Sequence, residues 1–271
     1  MIKANFFQKI QEFIKNLFFS KKINKSNKIN DNKEEPKENI FLTFFWAFLF
    51  AMILRSFWLE PFHIPSSSMY PNLLIGDYIF ANKYSLGYSR YSFPLGLDLF
   101  PGRIFASQPK RGDAIVFRLP SNPSINYIKR LIGLPGDRIQ VINGILYIND
   151  QEIIRNFDGE TSVFEGDKVT KYQQYSEIFP DKRKIAVFDR DNTMQDNTGI
   201  FEVPAKHYFF MGDNRDDSQD SRFMTLVGFV PEENLVGKAS FIFFSNPHSI
   251  LNLIEWIKAI RFERIGKKIN N

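Results

Sequence analysis

The sequence predicts a mainly β protein, an antiparallel β-sheet body anchored by one N-terminal transmembrane helix, with amphipathic helices at both ends. Three observations carry this. Ile40 to Leu54 is fifteen residues without a charge. Beyond residue 60 the apolar residues come in short runs cut by Gly, Pro, Asn and Asp, the texture of a body with many short strands. Helical spacing of apolar residues appears only near the two ends of the chain.

In chain order, residues 1–39 hold nine lysines against five acids. Phe6, Phe7, Ile10, Phe13, Ile14, Leu17 and Phe18 fall on one helical face, with Lys9 and Lys15 off it. Such a face suits either an anionic membrane surface or a partner helix groove. The Lys/Asn-rich stretch from 20 to 39 reads as a solvated linker. Residues 40–59 form the span, twenty residues at 1.5 Å each, or about 30 Å. Arg55 near its far end would snorkel, and Trp58 occupies a belt position. A long polar segment precedes the run and Glu60-Pro61-Phe62-His63 follows it, so the pattern is that of an anchor rather than a cleaved leader. The preceding lysines put the N-terminus in the cytoplasm and everything after the span outside it; in a bacterium that is a single-pass inner-membrane protein with a periplasmic body.

Residues 60–245 make up that body. Strands are expected at Asp77–Asn82, Asp113–Leu119, Asn126–Ile132, Arg138–Ile142, Ile145–Ile148, Lys206–Met211 and Leu235–Phe244. Asn143-Gly144 marks a tight hairpin. Tyr84–Pro109 reads as loop, and the polar residues 155–200, with little periodicity, as an excursion from the core sheet. In the last segment, 246–271, Ile250, Leu253, Ile254, Ile257 and Ile260 recur at helical spacing ahead of Arg261, Arg264, Lys267 and Lys268. This basic amphipathic helix would lie on the membrane or pack on the body.

Composition narrows the chemistry. With no cysteine in 271 residues, disulfides, thiolate catalysis and Cys-bound zinc are excluded. His63, His207 and His248 lie far apart, without metal-ligand spacing, and no phosphate loop is present, so neither a metal nor a cofactor is expected. The net charge of +5 comes from clusters at the two ends, without a basic groove carrying stacking aromatics; the anionic partner expected is membrane lipid and not nucleic acid.

Candidate chemistry lies in two polar clusters and one lysine. Pro65-Ser66-Ser67-Ser68-Met69-Tyr70-Pro71 follows the span closely, Lys129 interrupts the apolar strand Tyr127–Gly133, and residues 212–222 run Gly-Asp-Asn-Arg-Asp-Asp-Ser-Gln-Asp-Ser-Arg. By themselves the serines read as a turn and Lys129 as a strand lysine with its head turned outward. Taken together they admit another reading. A serine hydroxyl is a weak nucleophile until a neighbour takes its proton, and a buried lysine becomes a base because desolvation disfavours its ammonium form.

Four blocks in order after the span make the chain resemble bacterial signal peptidase I, the leader peptidase that removes signal peptides from exported preproteins. They are Ile64–Pro71 with Gly76-Asp77, Arg111–Phe117, Tyr127–Asp137 and Gly212–Arg222, and the resemblance runs from about residue 40 to Pro231. It implies a membrane-bound serine endopeptidase with a Ser/Lys dyad, cutting after small residues in the Ala-x-Ala pattern and working near the export translocon. Ser68 would be the nucleophile and Lys129 the general base; Ser66 would supply the oxyanion hydroxyl and Ser218 would orient the lysine. Asp220, with Arg222 or Arg130, would form supporting ion pairs. Phe62, Ile64, Leu73 and Ile128 would line the substrate pocket. The chain departs from the family's pattern at Asp217, where relatives often carry Asn, and in the long link from Phe223 to Gly228. A peptidase restricted to a narrower set of substrates, such as a pilin, and a β module that binds peptides without cutting them are the alternatives.

Overall fold

The computed structural model describes residues 40–93, 100–165, 168–190, 193–248 and 253–269; the N-terminal amphipathic segment and linker lie outside them. The apolar run forms helix α1 (Ile40–Phe57), long and apolar enough to cross a membrane. It ends two residues before the expected boundary, because Leu59 opens a strand. The chain separates into two units within this helix, after Phe44, and everything described below belongs to the second, Phe45–Asn271.

The strands are β1 (Leu59–His63), β2 (Asp77–Asn82), β3 (Tyr88–Ser89), β4 (Arg103–Ile104), β5 (Ala114–Leu119), β6 (Asn122–Gly133), β7 (Arg138–Ile142) and β8 (Ile145–Ile148). They continue as β9 (Gln151–Glu152), β10 (Ile154–Glu165), β11 (Lys168–Ile178), β12 (Lys184–Asp189), β13 (Phe201–Glu202), β14 (His207–Met211), β15 (Val230–Pro231) and β16 (Leu235–Ser245). The main sheet has the order β1-β2-β16-β5-β6-β14-β15, a second β13-β7-β8-β9 and a third β10-β11-β12. All these pairings are antiparallel. The fold is mainly β, as the short punctuated runs require.

Sequence and geometry agree most closely where turn chemistry is strongest. Asn143 and Gly144 join β7 to β8 with φ of 49° and 75°, the paired left-handed conformations of a type I′ hairpin. Pro61 sits in β1, at the edge of the main sheet, where a missing N–H costs no ladder bond.

Three regions depart from the expectation. Within Tyr84–Pro109 the chain forms the short β3–β4 pair, and Arg103 staples it to the body through the carbonyls of Gly87 (2.8 Å) and Glu232 (2.9 Å). Residues 154–189 make the third sheet, whose β10–β11 hairpin reaches past β12. In place of one long amphipathic helix, the described residues of the last segment form a short helix α2 (Leu253–Lys258) and a 3-10 turn at Phe262–Arg264. The chain then folds back along β16, with Ile269 N–H on Ser240 O at 3.1 Å. Arg264 is buried there and donates to Asp77 through Nε at 2.9 Å, so this arginine packs on the body as an internal ion-pair partner.

Two cores set the site. One packs Ile64, Met69, Leu73, Ile79, Val116 and Val236 between the β1 and β5 sides of the main sheet, with Phe62 and Ile128 against it. The other packs Ile132, Ile139, Val141, Phe209 and Met211 between the main and second sheets. At the membrane end Glu60, almost fully buried, accepts from Arg55 (2.9 Å) and Lys83 (2.7 Å), so Arg55 pairs with the body at the foot of α1.

Candidate active site

The three serines lie on a strap between buried anchors. Ile64, at its start, donates its N–H to Asp77 O at 2.8 Å, and Met69 and Leu73, after it, are fully buried. Between them Ser66 is exposed, Ser67 half-buried and Ser68 buried. The strap is tied down from the other side by Asn214. Its N–H donates to Ser68 O (3.1 Å) and its side-chain amide to Ser67 O (3.3 Å).

Lys129 stands on β6 opposite Ile115 of β5, in the part of the strand that turns buried. Its Nζ is hydrogen-bonded to Ser68 Oγ and lies 5.5 Å above the Tyr127 ring. Burial is the largest influence on this amine and pulls its pKa down to about 8, against the carboxylates of Asp220 and Asp213, while Arg222 adds to the downward pull. An amine of that pKa exchanges protons freely at mildly alkaline pH. Ser66 Oγ is 3.3 Å from Ser68 Oγ.

Loop 212–222 closes the site from behind, and each of its buried charges has a named partner. Asp220 accepts from Arg222 Nε (2.9 Å) and from Gly212 N–H (2.9 Å). Burial pushes this carboxyl up, but Arg222, the Gly212 amide and Lys129 together hold it below the usual range. Arg130 goes instead to Asp213 (3.0 Å) and to Gly112 O (2.9 Å), which separates the two pairings left open by the sequence. Arg215 pairs with the fully buried Glu177 of β11 (2.6 Å). That partner was invisible in the sequence, although an arginine inside so dense a polar run calls for one.

Gly212 is the close-approach position. A Cβ there would lie 2.2 Å from Ser218 Oγ and 2.5 Å from Ser68 O, so the loop reaches the serine strap only because the side chain is absent. Ser218 Oγ is buried at this contact and has no hydrogen-bond partner. The structure therefore brings Ser218 to the site without the expected bond to Lys129.

A groove of about 600 Å³ opens over these groups. Phe62, Ile64 and Ile128 line it together with Ser66, Ser68, Lys129 and Ser218. Leu73 does not: it is fully buried in the core below, so its place is in packing under the pocket rather than in its wall. Asp216, Asp217 and Gln219 also line the groove, and sequence reasoning had assigned none of them to it.

Asp189, Asp196 and Asp216 bring carboxylate oxygens within 4.8 Å of one another. Protein donors already engage them. Arg155 pairs with Asp189, Thr193 N–H donates to Asp196 (2.6 Å), and Arg190 N–H and Thr193 Oγ donate to Asp216 (2.6 and 2.7 Å). Burial, with Asp189 adding to it, pushes Asp216 up to about 6.

Comparison with known proteins places these features in context. The model of the family described as signal peptidase, peptidase S26, matches residues 37–244. A signal peptidase I of Rickettsia typhi is 43% identical over 265 residues, covering 90% of this chain and 98% of the relative. One from Rickettsia prowazekii is 43% identical over 271 residues, covering 92% and 99%. A crystal structure of a signal peptidase I from Enterococcus faecalis is 28% identical and covers 49% of this chain and 97% of that one, with a TM-score of 0.30.

Proposed function

Since the chain belongs to the signal peptidase family, peptidase S26, and is a serine peptidase, we propose that it cuts N-terminal signal peptides from exported preproteins, with Ser68 as nucleophile and Lys129 as general base. The observation that carries this is the buried amine of Lys129 on the hydroxyl of Ser68.

In this reading the neutral amine takes the Ser68 proton as Oγ attacks the scissile carbonyl. The oxyanion is held by Ser68 N–H and by the hydroxyl of Ser66, donors that act on charge present only in the transition state. Lys129 then gives the proton to the leaving amine, and deprotonates a water that hydrolyses the acyl-enzyme. Ser218 Oγ, without a protein partner, has hydrogen-bonding capacity left to orient the amine once Ser68 is acylated. Asp220 with Arg222, and Arg130 with Asp213, hold the loop that carries it.

Specificity for small residues, the Ala-x-Ala pattern, follows from the same groove: Phe62, Ile64 and Ile128 leave shallow apolar depressions, and the extended peptide pairs by backbone along Ile64–Ser66 and β6. The lysine-rich residues 1–39 on the cytoplasmic side and the catalytic unit on the outer face of a bacterial inner membrane, close to the export translocon, complete the proposal. Lipid contact at the C-terminal segment is supported by Ile257, Phe262 and Ile265, which are exposed while Arg261 and Arg264 turn inward.

The test is cleavage of an Ala-x-Ala signal peptide at pH 8 by detergent-solubilised protein carrying Ser66→Ala, Ser67→Ala or Ser68→Ala. Ser68→Ala is expected to be dead and Ser67→Ala to keep at least about half its activity, since only one hydroxyl can sit between base and oxyanion donors. A dead Ser67→Ala beside an active Ser68→Ala would move the nucleophile.

A further inference from the structure

The catalytic groove has two unlike walls. Phe62, Ile64 and Ile128 are backed by the main-sheet core. Asp216 and Asp217 are backed by the third sheet, to which Asp217 is tied by Tyr172 Oη of β11 (2.5 Å) and by Arg190, just after β12 (2.7 Å). If the small residues before the cut occupy the apolar wall, the residues after the cut leave Ser68 toward the acidic one. This step rests on the function proposed above.

The charges on that wall do not cancel at its surface. Asp217 lines the groove and is 31% exposed. Its counter-ion Arg190 is not part of the lining, so the pair presents its negative pole to a bound peptide. Asp216, which also lines the groove, is met by an N–H and a hydroxyl rather than by a guanidinium. Asp189 and Asp196 stand close behind it, with Arg155 offsetting one of them.

We propose that Asp217, with Arg190 set behind it, is a specificity determinant for the first residues of the mature protein, favouring basic over acidic side chains immediately after the cut. Partial desolvation lets a charge act across several ångströms, and the opposite charge of Arg190 cancels most but not all of that field. The remainder corresponds to about a fivefold difference in kcat/KM between lysine and glutamate, or about 1 kcal/mol.

Three peptides that share one signal sequence and differ only in Lys, Gln or Glu at the first two positions after the cut provide the test, with the full-length protein in detergent. The wild type is expected to prefer Lys to Glu about fivefold, and this ratio should shrink at high salt, where such interactions are screened. Asp217→Asn should bring the ratio to within about twofold of one, and Arg190→Gln, which removes the cancelling charge along with its bond to Asp217, should raise it severalfold. Ratios unchanged in both variants would overturn the proposal. Should Asp217→Asn fail to fold, Arg190→Gln decides alone: a raised ratio supports the proposal, and an unchanged or lowered one refutes it. Failure of the wild type to cut even the Gln peptide would instead overturn the functional reading on which it rests.

Discussion

Replacing Lys129 with Met should make the protein more stable and completely inactive, and the size of the gain is fixed by the burial that lowers the pKa of the amine. Lys129 is 4% exposed and the pKa of its amine falls from 10.5 to about 8. At about 1.4 kcal/mol per pH unit, carrying the ammonium in the folded state costs about 3 kcal/mol. Methionine fills a similar volume without charge, at the loss of the hydrogen bond to Ser68, worth about 1 kcal/mol. The net expectation at pH 7 is a gain of about 2 kcal/mol. The sign of the pH dependence follows from the lowered folded-state pKa. Below pH 8 both states are protonated and the full penalty applies; between about 8 and 10.5 the unfolded chain binds the extra proton, so wild-type stability rises with pH while the Met variant has no such rise. Urea unfolding followed by tryptophan fluorescence, in detergent, from pH 6.5 to 10, measures the gap. It should be largest at neutral pH and close, then reverse, as pH approaches 10. Wild-type kcat/KM should climb about tenfold per pH unit and level off above pH 8. A stability gap that is absent, or constant with pH, would refute the claim that burial tunes the amine.

Ser66→Ala should lower kcat by about 10² to 10³ with KM nearly unchanged, the signature of a lost oxyanion donor; a raised KM with kcat intact would assign the hydroxyl to ground-state binding. Gly212→Ala, whose Cβ would meet Ser218 Oγ at 2.2 Å and Ser68 O at 2.5 Å, should displace the serine strap and cost about 100-fold in kcat, since an ångström of misplacement has that effect. Activity within threefold of wild type would show that the loop can yield. Asp77→Asn removes the buried charge that receives Arg264 Nε (2.9 Å) and Ser245 Oγ (2.6 Å), and should destabilise by about 3 kcal/mol or more. Limited proteolysis should then nick residues 253–269 before the rest of the body. A reporter joined after residue 120 should register outside the cytoplasm, and cytoplasmic signal there would reverse the orientation proposed for the chain.

The strands that were legible in the sequence are those with one face in a core. Asp77–Asn82 alternates strictly between buried and half-buried, and Arg138–Ile142 and Ile145–Ile148 flank a turn that only Asn-Gly fits so readily. The β10–β11 hairpin was hidden for the opposite reason. Phe157, Phe164 and Val169 on it are exposed while Ser176 and Glu177 are buried, so burial does not follow apolarity and no apolar period of two marks its sequence. β1 was masked by the apolar helix that runs into it. In the site, the blocks named Ser68, Lys129 and the 212–222 loop, but not who pairs with whom. Glu177 for Arg215, Asp213 for Arg130 and Arg264 for Asp77 are contacts between residues 38, 83 and 187 positions apart, and nothing local in the chain encodes them. Leu73 misled because an apolar residue beside the nucleophile block looks the same in sequence whether it forms a wall or supports one.

The position of β16 bears on when in its own synthesis the enzyme becomes active. This late segment, Leu235–Ser245, lies between β2 and β5. Ser68 follows β1, which joins the main sheet through β2; Lys129 is on β6, which joins it through β5. Until β16 is delivered, these two parts of the sheet share no strand ladder, and Ser68 and Lys129 are linked only by core packing and by the ties of loop 212–222 to the serine strap. A product terminated before Leu235 would retain Ser68, Lys129 and loop 212–222 but lack the strand that joins the β2 and β5 parts of the main sheet. The last strand of the main sheet to be made is thus the one that locks the two reactive side chains into a single sheet.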